Sequence, residues 1–256
     1  MAYAFDGSGF NPPRPAQETP ASYVTWGPRH LVIGLIGVVF AYILAVFIIG
    51  APVQIAFGED SDEADFAALA ATIAGQVASA VLIYKIVRST GGDWRALGLR
   101  PTRDGLGALS TRLIGYAFVA SIGARLLIFV YLLVVTLAGQ DWLEPDDQIP
   151  DDFLNRDALL PLIGISLVFT APFSEELLFR GFLFAGLRRY LPFWLAAIIP
   201  GALFSAAHFQ VGLFIPFFAI GVLFAYVYEK TNSLYTAIMT HLLFNLLSFV
   251  LLVLVV

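Results

Sequence analysis

Two adjacent carboxylates stand inside an otherwise apolar run, Ala-Pro-Phe-Ser-Glu-Glu-Leu-Leu-Phe-Arg-Gly, which begins at Ala171. On a helix, Glu176 and Arg180 are four residues apart and close enough to pair, whereas Glu175 is rotated away by about 100°. Pairing would hold Glu176 ionised and leave Glu175 unpaired in an apolar setting, which suits a general base. Pro172, which has no N–H to donate, predicts a kink just upstream. We therefore predict a catalytic role for Glu175 and supporting roles for Glu176 and Arg180.

Two histidines and an amide lie on later apolar segments. His208 follows Phe204 by four residues, and His241 precedes Asn245 by four residues, so each pair shares one helix face. Because ionisable groups are costly in lipid, one shared site is favoured over independent packing roles. We predict that these residues join Glu175 in a buried catalytic constellation.

The composition indicates that lipid surrounds most of the chain. Of its 256 residues, 59 % are hydrophobic and only 13 % are charged, well below the charged share of about 25 % in a soluble domain. Apolar runs of about 20 residues, enough to cross a bilayer core of roughly 30 Å, recur from Leu31 onward. The predicted fold is an all-α, polytopic transmembrane helix bundle. Its seven expected spans cover residues 30–50, 66–87, 113–138, 158–185, 191–208, 211–228 and 233–255.

The chain divides into three predicted parts. Residues 1–29 are Pro-rich and polar without an apolar signal region, and we expect them to form a disordered cytoplasmic tail. Residues 30–140 would form accessory transmembrane helices with a basic cytoplasmic loop. Residues 155–256 would form the catalytic bundle, with the site in the last four helices.

Charge placement predicts the orientation, because cytoplasmic loops collect Lys and Arg. In the seven-span layout only Arg156 lies on the acidic side, with residues 59–63 and 141–152. The N-terminus is predicted to be cytoplasmic, the C-terminus to lie opposite, and the membrane to be a bacterial-type cytoplasmic membrane. The basic side carries Arg14, Arg29, Lys85, Arg88, Arg95, Arg100, Arg103, Arg112, Arg188, Arg189 and Lys230. Tryptophans at or beyond span ends, as at membrane interfaces, are Trp26, Trp94, Trp142 and Trp194.

Several polar and aromatic residues inside the spans have two interpretations. Arg125 could bind a substrate carboxylate, but pairing with a buried acid is favoured. Gln76 is expected to make an interhelical hydrogen bond rather than line a cavity. The sixth span could shape an apolar substrate groove, although lipid-facing bulk is favoured for its phenylalanines. These are Phe214, Phe217, Phe218 and Phe224.

The three motifs together resemble those of the CAAX protease and bacteriocin-processing (CPBP, or Abi) family of intramembrane proteases. They are Glu-Glu-x-x-x-Arg, Phe-x-x-x-His and His-x-x-x-Asn, in that order on separate helices between Pro161 and Asn245. The resemblance implies that Glu175, helped by His208, activates water for attack on a peptide carbonyl. It implies that His241 and Asn245 stabilise the oxyanion. Supporting positions are Glu176, Arg180 and Phe204.

The resemblance leaves the cofactor and the substrate open. The family is commonly labelled a metalloprotease, so zinc held by Glu175, His208 and His241 is one alternative. The spacing is not His-Glu-x-x-His, and metal-free hydrolysis is preferred. Prenylated CAAX proteins, bacteriocin leaders and membrane-anchored regulators are equally open as substrates. The expected partners are a membrane-associated protein or peptide and the lipid bilayer, with no nucleic acid.

A non-enzymatic membrane protein is the rival interpretation, either a proton-linked transporter or an immunity or scaffold factor on the same fold. Buried Glu, His and Arg residues also suit proton relays. The protease interpretation requires Glu175, His208 and His241 to lie close together. At 1.5 Å per residue, Glu175 and His241 lie roughly 10–15 Å from the cytoplasmic ends of their helices, but His208 lies about 25 Å away.

Overall fold

Seven apolar helices make up the fold in the computed structural model, which describes residues 19–59, 61–102, 105, 110–143 and 158–255. Within these ranges there is no strand, and the expected all-α, polytopic bundle is confirmed. Two short 3₁₀ turns, Pro20–Tyr23 and Asp141–Leu143, accompany the helices. The helices are α1 (Pro28–Phe57), α2 (Asp62–Ser89), α3 (Thr111–Leu137), α4 (Leu160–Arg188), α5 (Phe193–Ala206), α6 (Phe214–Thr231) and α7 (Leu234–Val255).

Six of these helices are long and apolar enough to cross a membrane, and α5 is the exception. Its 14 residues rise about 21 Å, which is less than a bilayer core of roughly 30 Å. Helix α5 is therefore shorter than the span expected at residues 191–208, and its crossing of the membrane stays a prediction. The chain leaves α5 after Ala206 through a turn in which Phe209 has a φ of 53°. The opposite placement of the C-terminus counted α5 as a crossing and stays a prediction.

Helices α2 and α3 begin at serine caps. Ser61 Oγ accepts a hydrogen bond from the N–H of Ala64, and Ser110 Oγ accepts one from the N–H of Leu113, both at 3.2 Å. Each cap satisfies a backbone donor that the first turn of a helix leaves unpaired. At the end of α6, Asn232 adopts a left-handed conformation with φ of 56°, which ends the helix and turns the chain into α7.

The segment before α1 packs into the bundle. Trp26 is fully buried; its ring stacks on Phe182 at 5.4 Å, and its Nε1 donates to the Phe182 carbonyl at 3.2 Å. Trp26 is therefore a core residue rather than an interfacial one, whereas Trp142 and Trp194 are 69 % and 66 % exposed. Residues 1–18 of the predicted tail lie outside the described residues, and ordered chain begins before residue 29.

The connection that follows α2 contacts both the turn between α6 and α7 and helix α4. The N–H of Leu234 donates to the Gly98 carbonyl at 2.7 Å, and Arg100 Nη2 donates to Asn232 Oδ1 at 2.6 Å. On the other side, a Cβ added to Gly181 would stand 2.7 Å from the Leu97 carbonyl oxygen. The connection can approach α4 this closely only because residue 181 has no side chain.

Helix α4 departs from regular α-helical geometry in two π-helical segments, Ile165–Thr170 and Leu177–Phe184. Gln76 of α2 forms hydrogen bonds with the first of these segments. Its Nε2 donates to Ser166 Oγ at 3.2 Å, and the Thr170 hydroxyl donates to its Oε1. The interhelical role expected for Gln76 is confirmed, and its partners are polar side chains of the helix that carries both glutamates.

The close approach at Gly181 predicts that Gly181→Ala destabilises the protein. The added methyl group would collide with a backbone carbonyl, and such overpacking costs about 1–3 kcal/mol of unfolding free energy. The measurement is thermal unfolding of the purified protein in detergent. Gly115→Ala in α3 is the control, because nothing lies within 4 Å of its added Cβ. Equal unfolding midpoints for the two variants would contradict the close contact between residue 181 and the Leu97 carbonyl.

The predicted orientation can be tested with α3, whose 27 residues rise about 40 Å and place its ends on opposite faces. Since the chain has no cysteine, Thr111→Cys and Gln140→Cys each introduce a single thiol at an exposed position. In bacterial spheroplasts, a membrane-impermeant maleimide should label Gln140→Cys alone and should label Thr111→Cys only after permeabilisation. The reverse pattern would invert the orientation.

Candidate active site

A fully buried ion pair lies at the centre of the site. Arg180 Nη1 donates to Glu176 Oε1 at 2.7 Å, and the two side chains are 1 % and 0 % exposed. Arg180 Nη2 donates to the Gly221 carbonyl at 3.2 Å, and the guanidinium lies 4.5 Å from the centre of the Phe204 ring. The i, i+4 spacing indicated this pair, and the carbonyl and ring contacts explain how a buried cation is accommodated.

His241 of α7 binds the same carboxylate. Its Nδ1 lies 2.9 Å from Glu176 Oε1, and the His241 ring lies between those of Phe204, at 5.8 Å, and Phe224, at 5.1 Å. Because an ionised carboxylate only accepts hydrogen bonds, Nδ1 carries the proton, and Nε2 is the ring atom left for a substrate. Sequence reasoning placed His241 with Asn245 and missed this link, since 65 residues separate it from Glu176.

Glu175 does not share the ion pair of Glu176, as the helical spacing indicated. It is half-buried, and its Oε2 is buried without a hydrogen-bond partner in the described part of the chain. Tyr42 of α1 hydrogen-bonds Ser174 and lies within electrostatic range of Glu175. A Cβ added to Gly75 of α2 would lie 2.7 Å from the Tyr42 ring. Sequence reasoning missed Tyr42, since an aromatic residue in an apolar helix carries no signal of its own.

His208 lies just beyond the end of α5. Its ring is 4.7 Å from that of Phe204 and 4.6 Å from that of Phe217, and its Nδ1 lies 2.7 Å from the Phe204 carbonyl oxygen. Phe204 thus contacts both imidazole rings, which brings His208 near His241 despite the different depths expected for them. No contact joins His208 to Glu175 among the described residues.

Asn245 replaces a hydrogen bond that a proline removes. In the first π-helical segment, the N–H of Ala171 donates to the carbonyl of Ser166, five residues earlier. The next bond of this type would run from residue 172 to Leu167, but Pro172 has no N–H. Asn245 Nδ2 donates to the Leu167 carbonyl at 2.7 Å instead. Its second amide hydrogen remains for a substrate.

The phenylalanines of α6 divide between two environments. Phe217 is 7 % exposed and Phe224 is fully buried, and they contact His208 and His241 respectively. The lipid-facing role favoured for these two is therefore wrong. Phe214, at 42 % exposure, does face outward. Because α6 packs against both α5 and α7, one of its faces forms an apolar wall of the site.

The candidate zinc ligands do not form a metal site. In the ranges that the structure describes, no group of three or more His, Cys, Asp or Glu residues could hold a metal ion. Glu175, His208 and His241 are the candidate set, and they do not form such a group. The donor set therefore does not fit the tetrahedral zinc site that the motifs left open.

Comparison with known proteins finds a family whose model matches the last part of the chain. The model of the type II CAAX prenyl endopeptidase Rce1-like family matches residues 157–247. The predicted resemblance to the CPBP family is confirmed. The matched CPBP segment includes both glutamates, Arg180, both site histidines and Asn245. At the level of the family, it supports an intramembrane protease, and it leaves Tyr42, Gln76 and Arg125 outside.

One curated relative is similar to part of this chain. It is the "Putative membrane peptidase YdiL" of Bacillus subtilis (strain 168), 29 % identical over 86 residues. The match covers 34 % of this chain and 35 % of the relative, so the chain spans about a third of that protein's length. No solved structure matches. The chain is thus a multi-pass membrane protein similar to a membrane peptidase.

The buried pair of Glu176 and Arg180 predicts that removing one charge destabilises the protein far more than removing both. Glu176→Gln should lower the free energy of unfolding by about 3–5 kcal/mol, because Arg180 would keep its charge in the interior without a counter-charge. Glu176→Gln combined with Arg180→Met removes both charges and should recover most of that loss, as read from chemical unfolding in detergent. Glu63→Gln at the exposed start of α2 is the control, with a change of about 0.5 kcal/mol or less. A double variant no more stable than Glu176→Gln would show that the charges are not coupled.

Proposed function

We propose that this protein is an intramembrane endopeptidase that hydrolyses a peptide bond of a membrane-associated protein or peptide. The observation that carries the proposal is the buried, unpartnered oxygen of Glu175 beside the network of Glu176, Arg180 and His241. Such a network is expensive in lipid, which favours a functional role for it over packing alone. The family match of residues 157–247 points the same way.

Glu175 is the proposed general base. Its carboxylate takes a proton from a water molecule as the water oxygen adds to the scissile carbonyl carbon. The same proton then passes to the leaving amine, so no cofactor is consumed. His208 would orient the water from the α5 side of the site, and its Nδ1 bond to the Phe204 carbonyl leaves Nε2 as the atom that faces the reaction.

His241 and Asn245 are the proposed oxyanion donors. His241 would donate from Nε2, which requires a proton on both ring nitrogens, and the Glu176 carboxylate at Nδ1, which Arg180 shares, would favour that second proton. Asn245 would donate with the amide hydrogen that is not bound to the Leu167 carbonyl. Donors held in place before the reaction stabilise the developing charge by several kcal/mol. In this scheme Glu176 and Arg180 are positioning residues.

The proposal predicts that Glu175→Gln abolishes cleavage while the protein remains folded. The purified protein in lipid nanodiscs is incubated with a library of lipophilic peptides, and products are identified by mass spectrometry. The variant should lose at least about 10³-fold in rate, since the amide cannot accept the proton. Glu63→Gln is the matched control and should cleave at the original rate.

Two outcomes would reject the protease proposal. One is the absence of any product from the unmodified protein together with an unchanged cellular phenotype of Glu175→Gln. The other is Glu175-dependent accumulation of a solute with proton movement, which is the behaviour of the rival transporter.

A chelator such as 1,10-phenanthroline should leave cleavage unchanged, because the donor set does not fit zinc.

A further inference from the structure

Arg125 lies deep in a membrane-spanning helix. It stands 14 residues after the first residue of α3, about 21 Å along the helix axis, which is close to the middle of the span. No carboxylate pairs with it in the described ranges, so the pairing with a buried acid that the sequence favoured is wrong. An ionisable side chain at this depth is costly and indicates a functional position.

The partners that the described ranges show for Arg125 lie on α7. Its Nη2 donates to the Phe244 carbonyl at 2.5 Å and to Ser248 Oγ at 2.8 Å, and the guanidinium lies 4.9 Å from the centre of the Phe244 ring. These bonds use both hydrogens of Nη2, so no two-nitrogen edge of the guanidinium is free for a substrate carboxylate. Arg125 therefore links α3 to α7 rather than binding the substrate.

The link reaches α7 beside the two proposed oxyanion donors. Phe244 directly precedes Asn245 and follows His241 by three residues, and Ser248 is four residues further on. Residues three and four apart share one face of a helix, so Arg125 holds the face of α7 that carries His241. A shift of α7 along or around its axis would break both bonds from Arg125.

Apolar packing does not by itself hold α7 in one rotation. In a bilayer the lipid tails are as apolar as the neighbouring helices, so polar contacts between helices fix their relative geometry. On the α4 side, the reacting groups make these contacts: His241 Nδ1 lies 2.9 Å from Glu176 Oε1, and Asn245 Nδ2 donates to the Leu167 carbonyl at 2.7 Å. On the α3 side, along which α7 also packs, the contact is made by Arg125, which has no part in the proposed reaction.

We infer that Arg125 is a positioning residue for the two oxyanion donors, which rests on the proposed protease function. By holding α7 from the α3 side, it keeps His241 Nε2 and the free amide hydrogen of Asn245 directed at the place where the oxyanion forms. Donors held in this way stabilise the transition state more than the bound substrate, so Arg125 acts on kcat rather than on KM. It lies outside the matched segment, residues 157–247, and the three motifs do not include it.

The first measurement separates kcat from KM, with the full chain in nanodiscs and a lipophilic peptide that the unmodified protein cleaves. Arg125→Met removes the charge and the donors but keeps most of the side-chain length. It should lower kcat at least about tenfold and leave KM within about twofold. Arg125→Lys, which still offers a donor to both oxygens, should recover most of kcat. Arg112→Gln, at the exposed start of the same helix, is the control and should keep the original kcat.

The second measurement observes His241 directly and needs no cleavage. Since the chain has three histidines, ¹⁵N-histidine labelling gives few NMR signals, and His241→Gln identifies the signal of His241. In the unmodified protein, Nδ1 should be protonated and hydrogen-bonded to Glu176. In Arg125→Met this Nδ1–H signal should shift or broaden, whereas Arg125→Lys and Arg112→Gln should leave it in place.

An unchanged His241 signal in Arg125→Met would overturn the inference and leave Arg125 as a tether that serves stability alone. A raised KM with an unchanged kcat would also overturn it, since that result assigns Arg125 to substrate binding. If Arg125→Met fails to fold, Ser248→Ala decides through the same two measurements, because it removes one of the two acceptors. If the unmodified chain cleaves no peptide but the His241 signal still depends on Arg125, the protease proposal fails while the positioning of His241 stands.

Discussion

The carboxylate of Glu176 is the interaction on which the rest of the site depends. It is fully buried and accepts hydrogen bonds from both Arg180 and His241. A buried carboxylate with a single cationic partner gains little over an apolar pair, because desolvation offsets the attraction. Here the same oxygen also determines which nitrogen of His241 carries the proton and which way the ring faces. The pair therefore orients a catalytic candidate as well as connecting α4 to α7.

The irregular geometry of α4 gives this constellation its shape. A π-helical segment adds a residue to a turn and changes which side chains share a face, and such segments are common at functional sites. The one at Ile165–Thr170 is fastened by Gln76, and the carbonyl of Leu167 next to Pro172 is satisfied by Asn245. Asn245 is thus both a structural donor and an oxyanion candidate. The two roles use different hydrogens of one amide group, and therefore do not compete.

The helices before the family-matched segment complete the site rather than merely surrounding it. Trp26 packs on Phe182, the Leu97 carbonyl approaches Gly181, and Tyr42 lies beside Glu175. All three contacts are made to α4, the helix that carries both glutamates. The matched segment carries the proposed reacting groups, whereas the part of the chain before it packs against α4.

The sequence by itself determined the membrane class, the all-α fold and the different surroundings of the two glutamates. These follow from local patterns: the length of apolar runs, and an i, i+4 spacing that allows Glu176 but not Glu175 to meet Arg180. Only the tertiary structure decided that α5 is short, that His241 binds Glu176, and that Phe217, Phe224 and Trp26 face the interior. Those features depend on contacts between residues far apart in the chain, such as the 65 residues from Glu176 to His241. Hydropathy cannot detect such contacts, because in a membrane protein the lipid-facing and the buried surfaces are equally apolar.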